Sequence, residues 1–215
     1  KISSIHQGKK RMIVKSKIQE WKRYYKISDV GQISRRYFVM NAFDGALTML
    51  GVVIGAYVAK ILLPITIITA ALSGSIAMGI SGVSGAYMTE KAERTKELKE
   101  LERAMVTDLK NGVHHKSSQF ATIFAALVDG LSPALAAMFV VSPFFLAYSH
   151  IISAQNAFMG CIILTLILLT ILGIYLAKIS DESMIRYGIQ MLVVGIVTAF
   201  LCVMTSILLG GSVVI

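Results

Sequence analysis

The sequence has few cysteines, which excludes a protein built on several disulfides or on metal-thiolate clusters. It also has no linker of the kind that separates domains. Its 215 residues include only two cysteines, Cys161 and Cys202. Both lie inside apolar stretches without metal-ligand spacing, so we predict that they are packing residues. No Ser/Pro-rich linker or low-complexity tract separates parts of the chain, which predicts one compact domain. Short stretches of alternating polarity are also missing, which argues against a membrane β-barrel.

Apolar residues dominate instead. They make up 55% of the chain, and the mean hydropathy is +0.70, values typical of an integral membrane protein. A spanning helix needs about 20 mostly apolar residues, so we predict an all-α protein with five transmembrane helices. The five apolar stretches are Tyr37 to Ala59, Ile61 to Met88, Phe120 to Tyr148, Ala157 to Ala177 and Tyr187 to Leu209.

Basic residues are concentrated in three segments. Residues 1–36 hold 11 Lys and Arg, residues 89–119 hold seven, and the fourth connection holds Lys178 and Arg186. The second gap holds only Lys60, and the third holds no Lys or Arg. Lys and Arg accumulate in cytoplasmic loops, so we expect a cytoplasmic N-terminus. The division is then a leader at 1–36 and a membrane domain at 37–215, which includes a cytoplasmic acidic helix at 89–119.

The leader has two interpretations. Five apolar residues recur among its lysines at roughly helical spacing: Ile13, Val14, Ile18, Trp21 and Tyr25. This pattern is typical of an amphipathic helix lying on anionic lipid headgroups. A basic arm that only enforces topology is the other interpretation. The first apolar run begins after this leader, so we do not interpret it as a cleaved signal peptide, and nucleic-acid binding is not favoured.

Two aspartates lie inside apolar stretches, Asp44 before Gly45 and Asp129 before Gly130. A carboxyl group in hydrocarbon costs about 2.5 to 3.5 kcal/mol even on the lenient insertion scale, so each needs a partner, a proton or an ion. Both spans run in the same direction, which predicts similar depths. We expect helix breaks at the glycines and at Pro133, of the kind that line ion sites. Alternatively, each Asp bonds to a Ser, Thr or Asn on a neighbouring helix.

Two further groups have ligand chemistry. Met78 in the second span carries a soft thioether, compatible with transition metals. On a helix, the carboxylates of the 89–119 segment form one stripe, which suits divalent cations, and His114 and His115 follow it. Interleaved Lys and Arg equally describe a solvated helix with ion pairs. The stripe residues are Glu90, Glu93, Glu97 and Glu100.

From Arg36 to Gly211 the chain resembles the vacuolar iron transporter family. NAFDGALTMLGVVIGA resembles its first span, GAYMTEKAE its second-span exit into an acidic helix, and YGIQMLVVGIVTAF with ILLG its last span. The resemblance implies a homodimer of five-span subunits that moves iron or manganese near the subunit interface in exchange for protons. It matches Asp44 to the family's first-span acid and the glutamate stripe to its cytoplasmic metal-gathering helices.

The chain also departs from that family. In the register that aligns Tyr87, the family's second-span Met and Glu fall on Gly82 and Ala86. Asp129 lies where the family has a small residue, before Pro133. A relocated carboxylate would restore charge to the site.

The leading hypothesis is therefore a divalent metal transporter that exports iron or manganese from the cytoplasm, with Asp44 and Asp129 exchanging cation for protons. We expect a multi-pass protein of a cell membrane or, in a eukaryote, a vacuolar-type membrane. The metal is its substrate, and no cofactor is expected to stay bound. The alternatives are a non-transporting metal sensor or scaffold and, least favoured, an intramembrane aspartyl protease.

Overall fold

The computed structural model describes residue 17 and residues 19–106 and 112–209. Within this part of the chain all regular structure is helical. A helix α1 covers 19–27, and five long helices follow: α2 (Val30–Val58), α3 (Pro64–Met105), α4 (Val113–Tyr148), α5 (Ala154–Ile179) and α6 (Met184–Leu208). Each of these five is long and apolar enough to cross a membrane. The prediction of an all-α protein with five spanning helices is confirmed.

The helices extend beyond the apolar stretches that predicted them. α2 begins at Val30, so the first long helix includes the last residues of the predicted leader. α3 begins at Pro64. Proline is favoured at the first position of a helix, since the N–H that it lacks would have no intrahelical partner there. The helical extension predicted after the second span is present, since α3 continues to Met105, and the last residues of the predicted 89–119 segment belong to α4; the cytoplasmic location of this extension stays a prediction. Gly112 precedes α4 in an extended conformation.

Three connections use the same helix ending. Lys60, His150 and Asp181 have positive φ values of 58°, 59° and 52°. The next residue donates its N–H to a carbonyl five positions earlier, at 2.9 to 3.0 Å, from Ile61 to Ala56 and equivalently after α4 and α5. This hydrogen bond satisfies a carbonyl that the helix end leaves free. The connections are therefore short, and consecutive helices run antiparallel.

The helices α2 and α4 lie parallel to each other. Asn41 contacts Asp129, 88 positions later, and Gly45 contacts Pro133 at the same separation. α3 packs closely against α4 through Gly79, Gly82 and Gly130. These three helices surround Asn41 and Asp129, which are considered below.

The apolar core lies towards the other end of the bundle. Phe144 and Phe158 are fully or almost fully buried, with ring centroids 4.8 Å apart at 88°. Tyr57 packs edge-on against Phe158 at 5.1 Å. Because the tip of α2, the end of α4 and the start of α5 meet here, this end contains the connections that are poor in Lys and Arg.

The three basic segments meet at the opposite end. Ile27 and Ser28, the region of α3 around Arg94, and His114 of α4 line one cavity of about 180 Å³. The start of α2 and the end of α5 line a second cavity. The structure therefore brings the basic segments to one face, while the assignment of that face to the cytoplasm stays a prediction.

The described part of the leader packs on the bundle. Trp21 and Tyr24 lie with their ring centroids 6.1 and 6.2 Å from that of Phe120, and Tyr25 meets Phe124 edge-on at 5.8 Å. Trp21 nevertheless remains 58% exposed. Residues 19–27 are thus helical and docked on α4, while Ile13, Val14 and Ile18 lie outside the described residues.

Candidate ion-binding site

Asp129 occupies the space between three helices. Its Oδ1 accepts a hydrogen bond of 2.6 Å from Nδ2 of Asn41 on α2, and the residue is partly buried. The same Asn41 amide donates to the carbonyl oxygen of Tyr37 at 2.9 Å. Asp129 therefore has the partner that a membrane carboxylate requires, and its carboxylate is held in one orientation.

Glycines make room for this carboxylate. A Cβ atom at position 82 would lie 2.7 Å from Cα of Gly130 and 3.1 Å from Oδ2 of Asp129. A Cβ at position 130 would lie 2.7 Å from the backbone nitrogen of Val83. Small residues permit such close backbone approach between membrane helices. The absence of a side chain at Gly82 is thus a condition for Asp129 to lie where it does.

The predicted helix breaks at Gly45, Gly130 and Pro133 are wrong, because α2 and α4 continue without interruption through all three. A Cβ at Gly45 would lie 2.7 Å from Cα of Pro133, so this glycine serves helix contact. Pro133 has no N–H to donate to the carbonyl of Asp129. This leaves a backbone oxygen beside the carboxylate that the helix itself does not satisfy.

Asp44 has a different environment. It is exposed on α2 and makes no hydrogen bond or ion pair with any residue that the structure describes. Thr48, one turn further, is also exposed. Gly55 lies on the same side of α2 as Asp44 and Thr48, and a Cβ at position 55 would meet no atom within 4 Å. Asp44 thus lies on an open face of an apolar helix.

The two aspartates are not hydrogen-bonded to each other or to a common residue. In the observed register Asn41 is level with Asp129, so Asp44 lies three residues, or about 4.5 Å, further along the axis. It also lies about 60° around α2 from Asn41. Whether both carboxylates act on one ion stays a prediction.

Met78 is partly buried and packs against the apolar cluster that contains Ala46 and Met49. Among the described residues, no polar group forms a hydrogen bond with its sulfur. Its assignment as a soft ligand therefore stays a prediction.

Glu90 differs from the other glutamates of its stripe. It is only 4% exposed. Its Oε1 accepts from the hydroxyl of Tyr37 at 2.9 Å, and its Oε2 from Nε of Arg94 at 3.0 Å. The Nη2 atom of Arg94 is buried without a partner among the described residues. Glu90 thus forms a buried ion pair within α3 and is joined to α2 by the hydrogen bond from Tyr37.

The remaining stripe residues are exposed: Glu93, Glu97 and Glu100. Glu100 lies 3.9 Å from Nζ of Lys96 on the surface. His114 and Glu97 line the same 180 Å³ cavity. Among the described residues no group of three or more His, Cys, Asp and Glu is arranged to hold a metal ion. Metal gathering by these glutamates therefore stays a prediction.

Three residues of this network had no role in the sequence-based predictions: Tyr37, Asn41 and Arg94. Tyr37 and Asn41 are one helical turn apart at the start of an apolar run. Polar residues at that spacing share a helix face. This shared polar face is the feature of the sequence that could have pointed to the two residues. Nothing in the sequence, however, indicates which helix the face would meet.

Comparison with known proteins agrees with this architecture. The sequence profile of the VIT family matches residues 35–111 and 96–206, which together cover the five long helices apart from their outermost residues. The chain belongs to the VIT family. The resemblance to vacuolar iron transporters is thereby confirmed, and the protein is a multi-pass membrane protein of a metal transporter family.

One relative matches most of the chain. An uncharacterized protein of Methanocaldococcus jannaschii is 35% identical over 177 residues, covering 81% of this chain and 89% of the relative.

Proposed function

We propose that this VIT protein exports a divalent cation, iron or manganese, from the cytoplasm in exchange for protons, and that Asp44 is its principal cation- and proton-binding group. The observation that carries the proposal is the open position of Asp44 in the middle of an apolar helix. A bare carboxylate facing hydrocarbon is unfavourable. Asp44 therefore requires a proton, a cation or a second protein surface.

A second copy of the chain would supply that surface. Asp44, Thr48 and Gly55 form a narrow stripe of small or polar residues on α2, which allows another helix to approach closely. In a symmetric dimer the same patch meets itself. The two Asp44 carboxyls would then lie near each other across the axis.

Such a pair couples metal to protons. Two carboxylates close together in low dielectric do not both ionise without a compensating cation. A divalent cation removes the need for protons, and protons displace the cation, because metal ligation requires deprotonated groups. Exchange of metal for protons follows from this competition. Carboxylate oxygens suit Mn²⁺ and Fe²⁺.

Asp129 has a supporting role in this proposal. Its carboxylate is fixed by Asn41 and lies about one helical turn from the level of Asp44. It offers a second negative charge on the path between the basic face and Asp44. The exposed glutamates of α3 raise the local cation concentration, and Met78 is an auxiliary soft ligand.

Flux measurement in proteoliposomes tests the proposal. Mn²⁺ or Fe²⁺ uptake and luminal pH are followed together under an imposed pH gradient. We expect Asp44→Asn to abolish both signals and Asp129→Asn to reduce them. Asp181→Asn is the matched control, since Asp181 is exposed at a turn with φ 52°, a conformation that Asn tolerates. Full metal flux in Asp44→Asn protein would remove Asp44 from the mechanism.

The same experiment addresses the alternatives. A metal sensor would bind metal at the exposed glutamates without any flux, and Asp129→Asn would leave metal binding unchanged. An aspartyl protease requires two carboxyl groups that share a proton about 3 Å apart. The pairing of Asp129 with Asn41 gives that alternative no support.

A further inference from the structure

A large groove lies at the basic end of the bundle, between α2, α5 and α6. It has a volume of about 700 Å³, within the range of sites that take a small amphiphile. Its rim is polar and its floor is apolar. The rim residues are Gln32, Arg35 and Arg36; the floor residues are Val39, Met40, Phe43, Leu176, Ile179 and Met191.

The groove lies at the depth of the lipid headgroups. From Arg36 to the end of α2 at Val58 the rise is about 33 Å, close to the hydrocarbon thickness of about 30 Å. Arg35 and Arg36 therefore lie at one membrane boundary, and Phe43 lies about 10 Å deeper. Polar rim and apolar floor thus follow the polarity of a phospholipid from phosphate to acyl chain.

The charge of the rim is unneutralised. Arg35 and Arg36 are exposed, and neither forms a salt bridge with the described residues. The guanidinium of Arg36 lies 5.6 Å from the centroid of the Tyr37 ring, which favours one orientation. Near the α5–α6 connection, the positive charges of Lys178 at the end of α5 and Arg186 at the start of α6 equal in number the negative charges of Asp181 and Glu182. Net positive charge at the groove therefore comes from the two arginines of α2.

We propose that this groove binds an anionic phospholipid. Arg35 and Arg36 donate to its phosphate oxygens, for which the planar guanidinium is well suited. One acyl chain lies along Val39, Phe43 and Met191. Basic pockets between membrane helices have this chemistry for anionic headgroups, and the proposal is independent of which ion the protein transports.

Native mass spectrometry of the detergent-purified protein tests the site. The probes are dioleoyl phosphatidylglycerol, dioleoyl phosphatidylcholine, dihexanoyl phosphatidylglycerol and inorganic phosphate. We expect the long-chain anionic lipid alone to remain bound. The R35Q/R36Q variant should retain it about tenfold less, the effect of losing about 1.4 kcal/mol of charged hydrogen bonding.

The K22Q/R23Q variant is the matched control. It removes the same charge from two exposed residues of α1 that do not line the groove, so its lipid retention should stay within about twofold of the parent chain. Equal loss in both double variants would reduce the effect to overall charge and overturn the site. Equal retention of phosphatidylcholine, or binding of phosphate alone, would also overturn it.

A second copy of the chain is the competing occupant. Ile179 lines the groove and is 40% exposed. In a background without Cys161 and Cys202, an Ile179→Cys variant should form no disulfide-linked dimer on oxidation if lipid fills the groove. Efficient disulfide cross-linking at position 179, with no lipid retained, would assign the groove to a protein interface and overturn the proposal.

Discussion

Asn41 Nδ2 lies 2.6 Å from Oδ1 of Asp129 and 2.9 Å from the carbonyl oxygen of Tyr37. One amide therefore binds a carboxylate of α4 and a carbonyl of its own helix at the same time. Because both donors of the amide are used, the Asn41 side chain is held in a single rotamer. The position of the Asp129 carboxylate follows from this constraint.

Replacing Asn41 with Ala should destabilise the protein measurably. The change removes the side-chain donor to Asp129, and hydrogen bonds between membrane helices contribute about 0.6 to 1.7 kcal/mol. Thermal unfolding in detergent, compared with the parent chain, measures the loss. Asn156→Ala is the control, since that side chain is exposed at the start of α5. Equal unfolding temperatures for both variants would contradict a stabilising role for the Asn41 bond.

Replacing Glu90 with Gln should have a larger effect. The side chains of Arg94 and Glu90 are only 11% and 5% exposed, and removing one partner of a buried pair leaves an uncompensated charge. The expected cost is about 3 kcal/mol. The exposed pair of Lys96 and Glu100, at 3.9 Å, provides the control, because Glu100→Gln should cost less than about 1 kcal/mol. Similar unfolding temperatures for the two variants would mean that the Glu90 pair is solvated.

The five long helices and the common location of the basic segments were predictable, because they depend on the length of apolar runs and on the count of Lys and Arg. The pairing of Asn41 with Asp129 was not. It depends on the rotation of α2 about its axis and on its register against α4. Asp44 and Asp129 are each followed by Gly in spans that run in the same direction, and this likeness predicted similar depths. The actual register places Asn41 opposite Asp129.

The proline and glycine positions show a second limit. Pro133 and the two glycines predicted breaks, since each weakens the local helical ladder. In the structure the helices remain continuous, and the missing side chains are used for close contact between backbones. Sequence alone does not distinguish these two uses of Gly45 and Gly130, because the missing Cβ both weakens a helix and permits close backbone contact.

A substitution at Gly82 should separate α3 from α4. The added methyl of Gly82→Ala would lie 2.7 Å from Cα of Gly130, so the backbones must move apart, at a cost of about 1 to 3 kcal/mol. Gly85→Ala is the matched control, because a Cβ there meets no atom within 4 Å. Unfolding temperatures and Mn²⁺ flux should fall for Gly82→Ala only. An unchanged unfolding temperature and Mn²⁺ flux for Gly82→Ala would show that α3 and α4 can accommodate a methyl group at this crossing without loss of stability.

Cross-linking from Thr48 should reveal what covers Asp44. Thr48 is exposed on the Asp44 stripe, and a second copy approaching along this stripe would bring the two Thr48 Cα atoms near the distance of about 5.5 Å that a disulfide requires. In a background without Cys161 and Cys202, we therefore expect Thr48→Cys to form a covalent dimer on oxidation in membranes. Leu127→Cys is the control, since Leu127 is 46% exposed on α4, away from the stripe. Dimers from Leu127→Cys and none from Thr48→Cys would place the interface elsewhere and leave Asp44 to be neutralised by a proton within a single subunit.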